Sequence, residues 1–141
     1  GDASTDSNIA LSFILSEVST NFTAADIAVT GGSISNFNGS GQNYTATFTP
    51  TGEGATTIDV NANVLTDNAG NGNTAASQFN WTYDATVPTI SISSSTVSSG
   101  ATSSNTSINL TFTVSETTSD FDLGDLSITN ASVSNFNGSG A

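Results

Sequence analysis

Apolar and polar residues alternate along several short stretches of this chain, and this alternation limits the fold more than any other feature. In residues 9–15 every second side chain is apolar, and the pattern returns at 44–48, 58–64 and 79–83. A period of two places successive side chains on opposite faces of an extended strand. Turn sequences rich in Gly, Asn and Pro separate the stretches. The sequence therefore predicts an all-β fold, an antiparallel β-sandwich.

Seven strands are predicted and are lettered in the order of one domain. They are A (89–94, from the second half of the chain), B (8–15), C (26–30), D (33–38), E (43–49), F (56–64) and G (77–83). The apolar positions of these strands predict the following core: Ile9, Leu11, Phe13, Val29, Phe48, Ile58, Val60, Phe79 and Trp81.

The chain contains an internal repeat with an offset of 99 residues. Residues 1–42 align with residues 100–141 without a gap, and 18 of the 42 positions are identical. The segment SNFNGSG at 35–41 returns unchanged at 134–140. A period of about 99 residues is too long for a solenoid repeat and suits one sandwich domain per repeat. Tandem sandwiches are therefore predicted.

This period sets the predicted domain boundaries. Residues 1–87 form a sandwich that lacks its first strand, and residues 88–141 form strands A–D of a second sandwich. Two explanations fit this division. The chain is a window cut from a longer array, or it is a subunit whose missing strands come from a neighbour, as in strand complementation.

Charge and composition exclude several classes of function. The chain has 12 acidic residues and no Lys, Arg, His or Cys. Without cationic side chains, nucleic-acid binding is not expected. Without His or Cys there is no Ser-His-Asp triad, no Cys-His pair and no zinc site of the usual kinds. The chain is therefore predicted not to be an enzyme. The apolar runs are too short for membrane insertion in this segment.

Four motifs in a common order resemble the bacterial Ig-like repeats of very large surface adhesins. They are Leu15-Ser16-Glu17, the turn at 35–41, TDNAGN at 66–71 and WTYDATVPT at 81–89. The resemblance covers nearly the whole chain. It implies an extracellular or cell-surface array of Ig-like sandwiches that is often stiffened by calcium.

The predicted function is therefore a structural or adhesive extender of a surface or fibre protein. Its expected partners are neighbouring repeats of the same chain or identical subunits, with a cell-surface or glycan ligand elsewhere in the full protein. Two alternatives stay open: an Ig-like module that itself binds a glycan or a protein, and a filament subunit assembled by strand complementation.

The acidic loops suggest where Ca²⁺ could bind, because calcium prefers six to eight oxygen ligands. In the predicted strand order, Glu17 and the loop carrying Asp67 and Asn71 lie at one pole. Asp84 ends strand G at the other pole and is expected to face the second domain. The candidate calcium ligands are Glu17, Asp67, Asn71, Asp84, Glu116 and Asp122. The alternative is that these residues form turns, helix caps and a solvated face.

Overall fold

The computed structural model describes residues 3–138, and the chain divides into two compact units, Gly1–Ala85 (unit 1) and Thr86–Ala141 (unit 2). Apart from two three-residue 3-10 turns, the elements in this described part are all β-strands. Residues 3–138 contain no helix that could cross a membrane. The predicted all-β class is confirmed.

The described part of unit 1 contains six strands in two sheets. The strands are β1 (Ala3–Ser4), β2 (Ile9–Ser19), β3 (Ile27–Thr30), β4 (Gly32–Pro50), β5 (Gly54–Val60) and β6 (Phe79–Tyr83), with a 3-10 turn at Ala24–Asp26. One sheet has the order β1-β6-β5-β3, and the other pairs β2 with β4. The pairings are antiparallel, except that β1 runs parallel to β6. Two such sheets packed face to face make a β-sandwich.

The long strand β4 doubles back on itself and contains both predicted strands D and E. The Thr45 hydroxyl donates a hydrogen bond to the Asn38 carbonyl, which places the two halves of β4 side by side. Between them, Gly39 has a φ of 142°, and a Cβ at this position would collide with the Asn43 carbonyl oxygen. Glycine is therefore required at this bend.

The core of unit 1 lies between the two sheets. Its buried apolar side chains are Phe22, Ile27, Tyr44, Phe48, Ile58, Val60, Leu65 and Trp81. The Phe48 ring of β4 meets the Trp81 ring of β6 edge-on, with centroids 4.9 Å apart, and so links the two sheets. Four predicted core residues are partly buried against this cluster: Ile9, Leu11, Phe13 and Val29.

Two details of the sequence prediction are wrong in unit 1. Phe79, predicted to be in the core, is 54% exposed, although it lies opposite the buried Ile58 in the sheet. It borders an open groove and has no covering layer. The strand predicted over 56–64 ends at Val60. Asn63 has a φ of 62°, and this left-handed conformation interrupts an extended strand.

The two sheets of unit 1 differ at their edges. Residues 3–4 do form a short strand, β1, on the edge of β6. Among residues 3–138, however, β2 pairs with β4 alone. The first sheet therefore has an added edge strand, while the second sheet leaves one edge of β2 without a strand partner.

Unit 2 repeats local features of unit 1 with fewer strands. Its described strands are β7 (Ile90–Ser94) and β8 (Leu110–Val114), which pair antiparallel, and a 3-10 turn spans Leu123–Asp125. The rings of Phe112 and Phe121 meet at 5.6 Å, and their counterparts 99 residues earlier, Phe13 and Phe22, meet at the same distance. The internal repeat is thus also a repeat of packing.

Candidate functional site

A groove of about 790 Å³ runs along one side of unit 1 and is called the β2 groove below. Eight consecutive residues of β2, 10–17, border it. Since their side chains alternate between two faces, the edge of the strand faces the groove. The opposite wall consists of residues 58–60 of β5, residues 71–77 of the next loop, and Phe79. The β2 groove is therefore a gap beside a strand edge.

The β2 groove has an apolar floor and an acidic rim. Leu11, Phe13 and Leu15 of β2 line it and are packed partly against the core cluster. Its rim carries the carboxylates of Glu17, Asp59 and Asp67. Apolar surface beside an unpaired strand edge is suited to another strand.

The loop between β5 and β6 is held in place by the side chain of Asn73. Its carbonyl oxygen accepts hydrogen bonds from the Val64 and Leu65 N–H groups at 3.0 and 3.1 Å. Its amide nitrogen donates to the carbonyl oxygens of Asn61 and Thr74 at 2.7 and 2.8 Å. One side chain thus provides hydrogen-bond partners for four backbone groups of the segment between β5 and β6.

Asp67 stabilises the tip of the same loop. Its Oδ1 accepts hydrogen bonds from the N–H groups of Ala69 and Asn71, both at 2.8 Å, and its Oδ2 accepts one from the Asn71 side-chain amide at 2.8 Å. The Asn71 side-chain hydrogen bond is the main cause that lowers the pKa of Asp67 below its usual value. The charged carboxylate therefore fits this loop better than the protonated acid does.

This geometry predicts a pH-dependent contribution of Asp67 to stability. Because its pKa is lower in the folded chain, the contribution is complete above the unfolded pKa of about 3.9 and is lost as the pH falls through the lower folded value. Asp67→Asn should lower the melting temperature at pH 7, and its difference from the wild type should shrink below about pH 4. Thermal melts monitored by circular dichroism test this.

The control for Asp67→Asn is Glu17→Gln, which removes a carboxylate from the rim of the same groove and leaves the three hydrogen bonds to Asp67 in place. A difference between Asp67→Asn and the wild type that stays constant from pH 7 to pH 2 would contradict the assignment.

The predicted calcium ligands lie in three places, which are the β2 groove, the end of β6 and unit 2. Glu17, Asp67 and Asn71 all border the β2 groove. Asp84 follows β6, where its N–H donates to the Ser4 carbonyl at 3.1 Å. Within residues 3–138 there is no cluster of three or more His, Cys, Asp or Glu side chains that could hold a metal ion. Calcium at these residues stays a prediction.

The remaining two candidate ligands, Glu116 and Asp122, lie in unit 2. Asp122 precedes the 3-10 turn, and its Oδ1 accepts a hydrogen bond from the Gly124 N–H at 2.6 Å. The Asp122 N–H donates to the Asp125 Oδ2 at 2.9 Å, and in the corresponding turn of unit 1 the Thr23 N–H donates to the Asp26 Oδ2 at 2.7 Å. The structure thus gives Asp122 a capping interaction.

Two important residues of unit 1 were missed by the ligand prediction. Asn73 and Asn21 are absent from the predicted ligands, although both side chains hold backbone segments in place. The Asn21 side-chain oxygen accepts hydrogen bonds from the Thr66 N–H at 3.0 Å and from the Ser19 hydroxyl at 2.9 Å. Their signal in the sequence is weak, because Asn is common throughout this chain.

Comparison with known proteins agrees with the repeat. Residues 2–83 and residues 84–141 each match the family model of a bacterial Ig-like domain. The curated proteins and the solved structures yielded no match. The two adjacent family matches confirm the predicted resemblance and the tandem Ig-like fold.

Proposed function

Since this chain belongs to the bacterial Ig-like domain family, we propose that it is a non-catalytic structural spacer in an extracellular or cell-surface protein. Bacterial Ig-like domains are typically structural modules, and they commonly occur in extracellular or surface proteins. The proposal goes further, because it assigns a load-bearing role to unit 1.

The observation that carries this proposal is the parallel pairing of β1 with β6. These are the strands nearest to the two ends of unit 1, and they pair through Ala3 with Thr82 and Ser4 with Tyr83. The Asp84 N–H adds a hydrogen bond to the Ser4 carbonyl. A force that pulls the two ends apart acts along both strands and loads these hydrogen bonds together. This arrangement resists extension better than one in which the hydrogen bonds break one after another.

The distribution of aromatic side chains favours a spacer over a glycan-binding module. Phe22, Tyr44, Phe48 and Trp81 are buried in the core of unit 1. A glycan platform needs several aromatic rings on the surface. The exposed ring of Phe79 belongs to the β2 groove.

Single-molecule pulling on the full chain between marker domains tests the load-bearing role. Unit 1 should unfold in one step. That step should release the extended length of its 85 residues, roughly 280–310 Å, less the distance between its folded ends. Asp84→Pro should lower the unfolding force, because proline has no N–H to donate to Ser4. Tyr83 already has the extended conformation that a following proline requires.

The matched control is Asp84→Ala, which removes the carboxylate and keeps the N–H. It separates the backbone hydrogen bond from the interactions of the Asp84 side chain. Equal unfolding forces for Asp84→Pro and Asp84→Ala would refute the role of this end contact. A wild-type unit 1 that extends without a resolved force peak would refute the spacer function.

Calcium is proposed as a structural ion at the end of the β2 groove formed by Glu17, Asp67 and Asn71. Support comes from their shared position and from the absence of any Lys, Arg or His in the chain to balance 12 acidic residues. Three hydrogen bonds to Asp67 occupy all but one of the about four acceptor positions of its carboxylate, and the last position is the one that an ion would take. The pulling experiment in excess calcium and in chelator tests this, and equal forces would exclude a stabilising ion.

A further inference from the structure

The internal repeat relates the open edge of β2 to a paired strand in unit 2. With the offset of 99 residues, β8 (Leu110–Val114) corresponds to residues 11–15 of β2. In unit 2 this segment pairs with β7, with Ile92 opposite Phe112 and Ile90 opposite Val114. In unit 1 the pairing partner of β2 is β4. A strand corresponding to β7 can therefore join β2 only at the edge that borders the β2 groove.

The apolar surface of the groove matches that of β7. Phe79 lines the groove and is 54% exposed. In the sheet it pairs with Ile58, whose side chain is buried in the core. In unit 2, Ile90 and Ile92 are 48% and 63% exposed. Among the described residues of unit 2, no second sheet packs on β7 and β8. Both surfaces would thus bury apolar area if β7 lay in the β2 groove.

The absence of charge on β7 also fits the acidic groove. The rim of the groove carries Glu17, Asp59 and Asp67, so an acidic segment would be repelled. The sequence of β7, Ile-Ser-Ile-Ser-Ser, has no charged residue. Its serines alternate with the isoleucines, so one face of the strand is apolar and the other is polar.

From these observations we propose that β7 of one chain exchanges its partner β8 for β2 of a second copy of the chain and binds antiparallel to β2 in the β2 groove of that copy. Each chain carries the acceptor groove in unit 1 and the donor strand in unit 2. Such an interface joins two different surfaces, so it repeats head to tail and gives open chains or rings whose length rises with concentration. Backbone hydrogen bonds along β2 supply affinity, and the two isoleucines supply specificity.

The repeat also determines the register of this pairing. Transferring the β7–β8 register to β2 places Ile92 opposite Phe13 and Ser93 opposite Ser12. Ser12 and Ser93 are both exposed and lie on the polar faces of their strands. Directly opposite residues of an antiparallel pair have Cα atoms about 4.5–5.5 Å apart, which is within the range of Cα separations that a disulfide spans.

Cysteine cross-linking between two separately prepared chains tests this register. The chain has no cysteine, so Ser12→Cys on one copy and Ser93→Cys on another report only intermolecular contact. After mild oxidation, this mixture should give at least about ten times more mixed disulfide than Ser12→Cys with Ser91→Cys. In the proposed register Ser91 lies two residues out of place, roughly 7–8 Å from Ser12 across the strands.

A second measurement uses the full chain without cysteine. The average mass from sedimentation should rise with concentration for the wild type and for Ser93→Asn, whose uncharged side chain lies on the polar face of β7. It should stay at the monomer value for Ile92→Asp, which places a charge on the apolar face. A monomeric wild type at millimolar concentration, or equal disulfide yields in the two cysteine mixtures, would overturn the proposal. Mass growth that Ile92→Asp leaves unchanged would also overturn it, because another surface would then hold the copies together.

Discussion

Replacing Trp81 by alanine is expected to destabilise unit 1 by about 3–5 kcal/mol, as found when a large aromatic side chain is removed from a core. Trp81 is only 7% exposed. Its ring lies 4.9 Å from that of Phe48 on the facing sheet and 5.5 Å from that of Phe79. Alanine would leave a cavity at the contact between the sheets. Since the chain has a single Trp, urea unfolding of the variant is followed by far-ultraviolet circular dichroism.

The matched variant is Trp81→Phe. In residues 3–138 the Trp81 Nε1 is the one buried side-chain nitrogen or oxygen without a hydrogen-bond partner, and a buried unpaired donor costs about 1–3 kcal/mol. Phenylalanine removes this donor while keeping most of the ring packing, so it should destabilise unit 1 much less than alanine. A loss below about 1 kcal/mol for Trp81→Ala would mean that this residue does not hold the sheets together.

The burial of Trp81 could be predicted from the sequence, but the exposure of Phe79 could not. Both lie on one face of β6, two residues apart, and alternation correctly assigns them to the same face. Alternation does not show whether another layer covers each position along that face. Phe48 covers Trp81, whereas Phe79 lies at the β2 groove. Coverage depends on residues distant in sequence, which a local pattern does not contain.

The site residues were predictable by chemical type and less so by role. The sequence predicts that Asp67 and Asn71 lie in a loop, and in the structure they lie in the segment between β5 and β6. The sequence pointed to its oxygen atoms as calcium ligands. In the structure the Asp67 oxygens accept N–H groups of their own loop, and the Asn73 side chain both accepts and donates. The choice between an ion and a backbone N–H as partner depends on loop conformation, which composition does not determine.

Asn73→Ala should have the second largest effect, a loss of about 2–4 kcal/mol from unit 1. This figure is the sum for the four hydrogen bonds between the Asn73 side chain and the backbone, at about 0.5–1.5 kcal/mol each, reduced because the loop is partly solvated. The N–H groups of Val64 and Leu65 lose their acceptor, and Leu65 is part of the core cluster. The damage should therefore reach the core next to β5 as well as the loop.

Urea unfolding measures the total effect of Asn73→Ala, and amide hydrogen exchange locates it at Val64 and Leu65, whose protection should fall most. Asn68→Ala is the control, since it removes an exposed side chain of the same loop and should change stability by less than about 0.5 kcal/mol. Asn73→Asp keeps the acceptor oxygen but loses the amide that donates to Asn61 and Thr74, so it should also destabilise unit 1. If Asn73→Ala and Asn68→Ala were equally stable, the loop would be held by its backbone turns alone. Asn73 would then be one more surface amide in an Asn-rich chain.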